Sequence, residues 1–194
     1  SEKDGVLRGN KFYHKELDIT LTFPKGWKVD NLPDRLIASN KAKDAVMQIT
    51  LRDLNKRQSP KEFIESEFGN KLRSEQEVVT ESFKGYTAIT RTKTPFGTQD
   101  TRIAAVFKGK QVYQFLAAAK DPAMLKKHDK DFLATVNSLR QLKTNERSLA
   151  ESQKIKLITA KKRDTFASLA KSSPLSSYPE EQLRLLNGMY PEGE

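Results

Sequence analysis

The feature that most constrains the fold is a short alternating stretch near the start of the chain, Leu17 to Phe23. Its odd-numbered residues are apolar and its even-numbered residues are polar, which places the apolar side chains on one face of a β-strand. Pro24 and Gly26 end the pattern, since proline has no backbone donor and glycine permits a tight turn. A strand with one apolar face needs a helix or a second sheet to cover it. Trp27, which follows the turn, is interpreted as a core anchor.

Further strands are predicted along the first two thirds of the chain. The alternating stretch is expected to begin at Tyr13, so that 13–23 forms one long strand. Alternation predicts the other strands at 27–29, 36–39, 45–51, 77–80, 86–93, 98–107 and 112–118. The connections at Lys84–Gly85, Pro95–Gly97 and Lys108–Lys110 are too short for crossover helices, so these strands are expected to be antiparallel.

Two helices interrupt the strands, and each begins with a recognisable cap. Ser59 is followed by Pro60 and by Glu62, which is a capping-box pattern with proline at the first helical position. The second helix opens at Asp121-Pro122 and carries an apolar stripe at spacings of seven, four and three residues, with its end expected near Leu142. Helices packed on an antiparallel sheet make an α+β domain, predicted here over residues 12–142.

Composition narrows the functional classes. The net charge is +10, from 35 basic and 25 acidic residues, which favours an anionic neighbour such as an acidic glycan, lipid head groups or nucleic acid. Because the two signs are interleaved along the chain, a solvated surface explains most of this charge. The absence of cysteine excludes disulfides and thiolate metal sites. No apolar run is long enough to span a bilayer.

The residues that could carry chemistry are few and scattered. The two histidines, His14 and His128, are far apart. His14 and Glu16 are expected on the same strand face without a third metal ligand, and His128 is interpreted as a boundary residue with a surface partner. Asp18 is expected to be solvated, and Ser59 is explained by its cap. No Ser-His-Asp arrangement has a distinctive spacing, so no catalytic set is predicted.

The five aromatic residues of the later strands could stack on bases or sugars. Because most of them fit alternating strand faces, core packing is the preferred interpretation. An RNA-binding sheet would also need a glycine and aromatic run that this sequence lacks, so nucleic acid is not the expected partner. The residues concerned are Tyr86, Phe96, Phe107, Tyr113 and Phe115.

The ends of the chain differ from its centre. Residues 1–11 are polar and contain two glycines, and 143–154 has little apolar content, so both are predicted to be linkers. The opening residues have the character of the middle of a longer chain, and we expect a fragment of a larger protein. Residues 155–194 are predicted to form a small β-α-α module.

That module resembles a LysM domain. The similarity lies in a strand that ends in basic residues, the pair Asp164-Thr165, the short helix that follows and the ending Leu183-x-x-Leu186-Asn187-Gly188. LysM domains usually have glycine at the position of Arg163. The closing strand of the LysM fold has no counterpart in this sequence. LysM domains bind N-acetylglucosamine polymers. The resemblance implies a glycan site at Arg163, Asp164, Thr165, Asn187 and Gly188.

The first domain resembles the PsbP/DcrB-like group, in which an early strand ends in an FP-x-GW turn, here Phe23 to Trp27. Such domains are accessory sandwiches of lumenal or periplasmic proteins. The two parts together, in this order, resemble the C-terminal region of BepA/HtpX-related periplasmic zinc peptidases. In those proteins an HExxH domain holds the zinc, and the present sequence has no such motif.

This last resemblance implies a non-catalytic accessory region in the periplasm, without a cofactor of its own, that positions a zinc metallopeptidase. Its expected partners are peptidoglycan or outer-membrane and periplasmic proteins. The alternative is a free-standing module that binds an anionic polymer, namely an acidic glycan, lipid head groups or nucleic acid.

Overall fold

The computed structural model describes residues 5–151, which form two antiparallel sheets and two α-helices. The α+β class predicted from the sequence is confirmed. The strands are β1 Val6–Arg8, β2 Lys11–His14, β3 Ile19–Thr22, β4 Lys28–Leu32, β5 Arg35–Ser39, β6 Ala45–Asp53, β7 Arg73–Val79, β8 Lys84–Thr94, β9 Gly97–Lys108, β10 Gln111–Ala119 and β11 Arg140–Gln141. The helices are α1 Pro60–Phe68 and α2 Pro122–Ser138, and a 3₁₀ helix spans Thr144–Glu146.

The larger sheet has seven strands in the order β4-β5-β6-β10-β9-β8-β7, and the smaller has four in the order β1-β2-β3-β11. Every paired ladder in both sheets is antiparallel. Strands β8, β9 and β10 form a meander with short turns, as the sequence indicates. Chain neighbours therefore lie side by side in most of the large sheet.

Both faces of the seven-stranded sheet are apolar, and each has its own cover. On one face, residues such as Met47 and Phe115 pack with Leu21 of the smaller sheet and Phe132 of α2. On the opposite face, Phe63 and Ile64 of α1 belong to a second core with side chains of β9 and β10. The larger sheet and α2 thus supply the cover that the alternating stretch, which forms β3 of the smaller sheet, requires.

Both helices begin where their capping residues predict. The Ser59 hydroxyl accepts a hydrogen bond from the Glu62 amide at 3.1 Å, and the Glu62 carboxylate accepts one from the Ser59 amide at 2.9 Å. The Asp121 carboxylate accepts from the Met124 amide at 2.9 Å. Helix α2 ends at Ser138, so its predicted end near Leu142 is wrong. The next residues pair with β3 instead of continuing the helix.

The prediction of one strand over 13–23 is wrong, because the chain folds there into the hairpin β2–β3. The turn is closed by a hydrogen bond from the Asp18 amide to the Lys15 carbonyl at 3.1 Å, with Asp18 at a φ of 56°. Asp18 is not merely solvated, since it accepts hydrogen bonds from Gln141 and Arg147. Glu16 lies in the turn, so it does not share a strand face with His14.

The turn predicted at Lys84–Gly85 is also displaced. The Thr80 hydroxyl accepts hydrogen bonds from the amides of Ser82 and Phe83, and this local bonding moves the turn to 81–83. Gly85 lies within β8, where it is needed for close packing. A β-carbon there would lie 2.2 Å from the carbonyl oxygen of Ala105.

Parts of both predicted linkers belong to the folded unit. Strand β1 pairs with β2, which adds residues before position 12 to the smaller sheet. After position 142, Glu146 is buried and accepts two hydrogen bonds from Arg140, at 2.7 and 2.8 Å, while Ala150 packs on Tyr13. These contacts explain why a polar segment is ordered. The module predicted at 155–194 lies outside the described residues, so the division into two modules stays a prediction.

Candidate functional site

The residues predicted to bind glycan all lie outside the described part of the chain. They are Arg163, Asp164, Thr165, Asn187 and Gly188. Their role stays a prediction. The site that the structure does reveal is elsewhere, between the two sheets.

A cavity of about 520 Å³ lies between the smaller sheet and the β4–β5–β6–β10 part of the larger sheet. This volume is in the range of small-molecule binding sites. Most of its lining is apolar: Phe12, Leu17, Ile19, Leu21, Leu32, Pro33, Leu36, Ile49, Leu51 and Leu139. The polar residues of the lining are His14, Asn31, Asp34, Arg35, Thr50 and Tyr113.

Strand register builds the walls of this cavity. In the larger sheet Tyr113 is opposite Leu51, and Ile49 is opposite Leu36. Residues opposite each other in a ladder share a face, so these side chains form one surface. In the smaller sheet Phe12 is opposite Leu21 on the facing wall. The cavity is therefore made by strands distant in the sequence.

Two turns contribute lining residues at one end of the cavity. One is the β2–β3 turn with Leu17, whose carbonyl accepts a hydrogen bond from the Lys108 ammonium group. The other is the β4–β5 turn, where Arg35 binds the Asp34 carboxylate through two hydrogen bonds of 3.0 and 2.7 Å. The Arg35 and Asp34 charges are thus paired with each other.

Tyr113 is the most distinctive polar residue of the lining. It is 4% exposed, and its hydroxyl has no hydrogen-bond partner among residues 5–151. Burial raises the pKa of the Tyr113 phenol above its ordinary value, because the charged form is disfavoured where water is excluded. The residue is therefore a neutral hydroxyl with an unused donor.

His14 lies at the end of β2 and is 8% exposed. Its Nδ1 accepts a hydrogen bond from the Leu17 amide at 3.0 Å. When the ring is neutral this bond places the proton on Nε2. The bond holds the imidazole against the β2–β3 turn, and Nδ1 is already used as an acceptor.

The second histidine takes part in a different arrangement. His128 Nε2 lies 3.2 Å from the Asp44 carboxylate, which confirms the partner expected for it. Trp27 packs edge-on against both His128 and Phe132, in agreement with its predicted role in the core. Trp27 is only half-buried, and it lines a shallow depression with Lys25 among its neighbours.

The described residues contain no cluster of three or more histidine and carboxylate side chains that could hold a metal ion. His14 and His128 lie in separate elements, a strand and a helix. Likewise, no helix within residues 5–151 is long and apolar enough to cross a membrane.

The strand pattern of the sequence does not predict this cavity. Tyr113 was assigned to core packing with Phe96 and Phe115, and all three are buried as predicted, whereas Tyr86 and Phe107 are half-buried. The available signal was the position of Tyr113 in an inward-facing row of β10, where a phenolic hydroxyl needs a partner. The inward-facing row of β10 gives no indication that a cavity lies beside Tyr113.

Comparisons with known proteins identify the fold but no family. No family model matches the sequence, and no curated protein matches it. The solution structure of cyanobacterial PsbP (CyanoP) from Synechocystis sp. PCC 6803 is similar over 71% of this chain and 95% of its own, with 10% identity and a TM-score of 0.51. The Saccharomyces cerevisiae Ran-binding protein Mog1p matches over 72% of this chain and 98% of its own, with 10% identity and a TM-score of 0.49. On the CyanoP likeness, residues 5–151 have a PsbP-like fold.

Proposed function

We propose that the chain is a non-catalytic accessory region that binds partners and thereby positions a larger periplasmic enzyme, a zinc metallopeptidase. The observation that supports a binding role is the inter-sheet cavity, which is apolar, enclosed by two sheets and equipped with one unused neutral donor, Tyr113. The link to a peptidase rests on the resemblance of the PsbP-like and LysM-like order to the accessory region of such enzymes.

The chemistry of the cavity favours binding over catalysis. A hydrolytic site needs a nucleophile activated by a neighbouring base or by a metal ion. The ordinary pKa of a tyrosine phenol lies well above neutral pH and burial raises the pKa of Tyr113 further, so its hydroxyl stays protonated, is a poor nucleophile and cannot serve as a general base. His14 uses Nδ1 to accept the Leu17 amide.

The proposed mechanism is tethering. A weak contact between the accessory region and peptidoglycan, or a protein beside it, raises the local concentration of the attached catalytic domain near its substrates. The contact with glycan would be made by the LysM-like residues, including Asp164 and Asn187.

Co-sedimentation with purified peptidoglycan sacculi tests this proposal. The chain should pellet with sacculi at low and at moderate salt, and Asp164→Ala and Asn187→Ala should each reduce pelleting. The matched control is Asp131→Ala, which removes the same group from the exposed face of α2. Absence of pelleting, or equal pelleting of all variants, would contradict wall tethering. Peptidase activity of the chain alone would contradict its non-catalytic role.

The alternative, a module for an anionic polymer, is favoured by one surface feature. The shallow depression beside Trp27 is flanked by the exposed residues Lys25 and Lys28. Lys43 is close enough to Lys28 that the neighbouring charge, together with the larger effect of burial, lowers the pKa of Lys43. An aromatic edge among several cations is suited to a polyanion.

Salt dependence distinguishes the two proposals. Binding of the chain to heparin should weaken steeply with added salt if several cations are neutralised, and Lys25→Gln with Lys28→Gln should reduce that dependence. Lys126→Gln with Lys127→Gln removes equal charge from exposed positions of α2 and is the control. Equal effects of the two pairs would show that only net charge matters and would reject a site at Trp27.

A further inference from the structure

We propose that the cavity between the two sheets is a binding site for a neutral amphipathic small molecule, with an alkyl or aryl body and one oxygen that accepts a hydrogen bond from Tyr113. The body would lie between Leu36, Ile49 and Leu51 of the larger sheet and Phe12 and Leu21 of the smaller one. Such a site would be independent of whether the chain positions a peptidase.

The Tyr113 hydroxyl has an unused donor. A buried donor without a partner loses its hydrogen bonds to water and gains none in return, and native structures leave few such groups unpaired. Tyr113 is 4% exposed and has no partner in the described part of the chain. The hydroxyl oxygen itself is fully buried, so a ligand oxygen that enters from the cavity lined by Tyr113 has to displace a neighbouring side chain to supply the acceptor.

The side chains around Tyr113 on the larger sheet are too apolar for water to be the natural occupant beside its hydroxyl. A buried water typically makes about three hydrogen bonds. On the larger sheet, the side chains nearest Tyr113 in the inward-facing surface are Leu51 of β6 and Val106 of β9, which lie opposite it, and Phe115, two positions along β10. One hydroxyl beside hydrocarbon suits a molecule that is itself mostly hydrocarbon.

The charges that line the cavity disfavour a charged ligand. A carboxylate or ammonium group taken from water into an apolar cavity is strongly disfavoured unless it is paired. The charged residues that line the cavity, Asp34 and Arg35, already bind each other through two hydrogen bonds. The ligand is therefore uncharged, with an acceptor such as a ketone, ester, amide or ether oxygen.

Three probes of similar shape test the apolar body, the hydrogen bond and the charge of the ligand separately. They are naphthalene, which has no acceptor, 1-acetylnaphthalene, which has a ketone oxygen, and 1-naphthoate, which is charged. NMR titration of the whole chain should show shifts at the cavity residues with 1-acetylnaphthalene. Because a buried hydrogen bond contributes about 0.5–1.5 kcal/mol, its affinity should exceed that of naphthalene by roughly 2- to 10-fold. The naphthoate should bind more weakly than either.

Tyr113→Phe removes only the hydroxyl and keeps the ring. It should lower the affinity for 1-acetylnaphthalene to that of naphthalene and leave naphthalene binding unchanged. Tyr86→Phe is the matched control, because its hydroxyl binds Glu75 on the outer surface, at 2.7 Å. Leu51→Phe adds a ring to the cavity wall and should weaken all binding, with the fold checked by the unshifted signals of α1.

Four results of the affinity measurements would each overturn the proposal. These are no binding of 1-acetylnaphthalene, equal affinity for naphthalene and its ketone, stronger binding of the naphthoate, or equal losses in Tyr113→Phe and Tyr86→Phe. Shifts in Tyr113→Phe that match those of the natural chain would likewise show that the hydroxyl has no part in recognition.

Discussion

A buried ion pair joins α2 to the seven-stranded sheet, and breaking it should destabilise the domain strongly. Arg102 is 3% exposed, and its guanidinium donates two hydrogen bonds to the Asp129 carboxylate, at 2.8 and 2.7 Å. It also donates to the Ser74 carbonyl at 3.2 Å and the Thr87 hydroxyl at 3.4 Å. One arginine therefore connects α2 with β7, β8 and β9.

The expected magnitude follows from what remains after Asp129→Ala. The Arg102 side chain, 4% exposed in the pair, keeps only its two longer bonds and no counter-charge. Removing one partner of a fully buried ion pair typically reduces stability by about 3–5 kcal/mol, and because the Asp129 side chain is 22% exposed we expect a loss near the lower end of that range. Because a domain has a total stability of about 5–15 kcal/mol, Asp129→Ala should remove a large part of it.

Urea unfolding, followed by circular dichroism, measures this difference. Asp100→Ala is the control, since its partner Arg73 is 59% exposed and such pairs contribute about 0–1 kcal/mol. Combining Arg102→Met with Asp129→Ala should recover most of the loss, because the buried charge is then gone. A loss of stability in Asp129→Ala no greater than that in Asp100→Ala would show that the Arg102–Asp129 pair contributes no more than an exposed ion pair.

Two further predictions concern residues whose roles the structure defines. Gly85→Ala should destabilise by about 1–3 kcal/mol, because its β-carbon would meet the backbone of β9 at 2.2 Å; unfolding equal to that of Lys84→Ala would contradict this. The hydrogen bond from Arg140 lowers the pKa of Glu146 to about 2, from an ordinary value of 4.5. The stabilisation by Glu146 is therefore present above pH 4.5 and lost as the pH falls towards 2. The stability difference between the natural chain and Glu146→Gln should shrink over this range, and a constant difference would contradict the assignment.

The elements that the sequence predicted well are those encoded by local chemistry. Ser59 and Asp121 cap helices through hydrogen bonds to amides three residues away, so short patterns were sufficient. The alternation from Ala45 to Leu51 likewise predicted β6, since inward-facing residues repeat every second position.

The errors arose where distant contacts override the local pattern. Nothing in the alternation around Asp18 marks a turn, and the left-handed backbone there is held by partners more than a hundred residues away, Gln141 and Arg147. The order after position 142 depends on the pair Arg140–Glu146, whereas the low apolar content of 143–154 indicated a linker. Nor could a single strand pattern reveal the cavity, because its volume exists only between two sheets.

A crystal structure of the chain with 1-acetylnaphthalene shows whether the space between the two sheets is a binding site. We expect the naphthalene body between the sheets, with the ketone oxygen about 2.5–3.0 Å from the Tyr113 hydroxyl. A cavity closed by side chains, or one that holds only water bound to Tyr113, would contradict the claim that this space is a binding site.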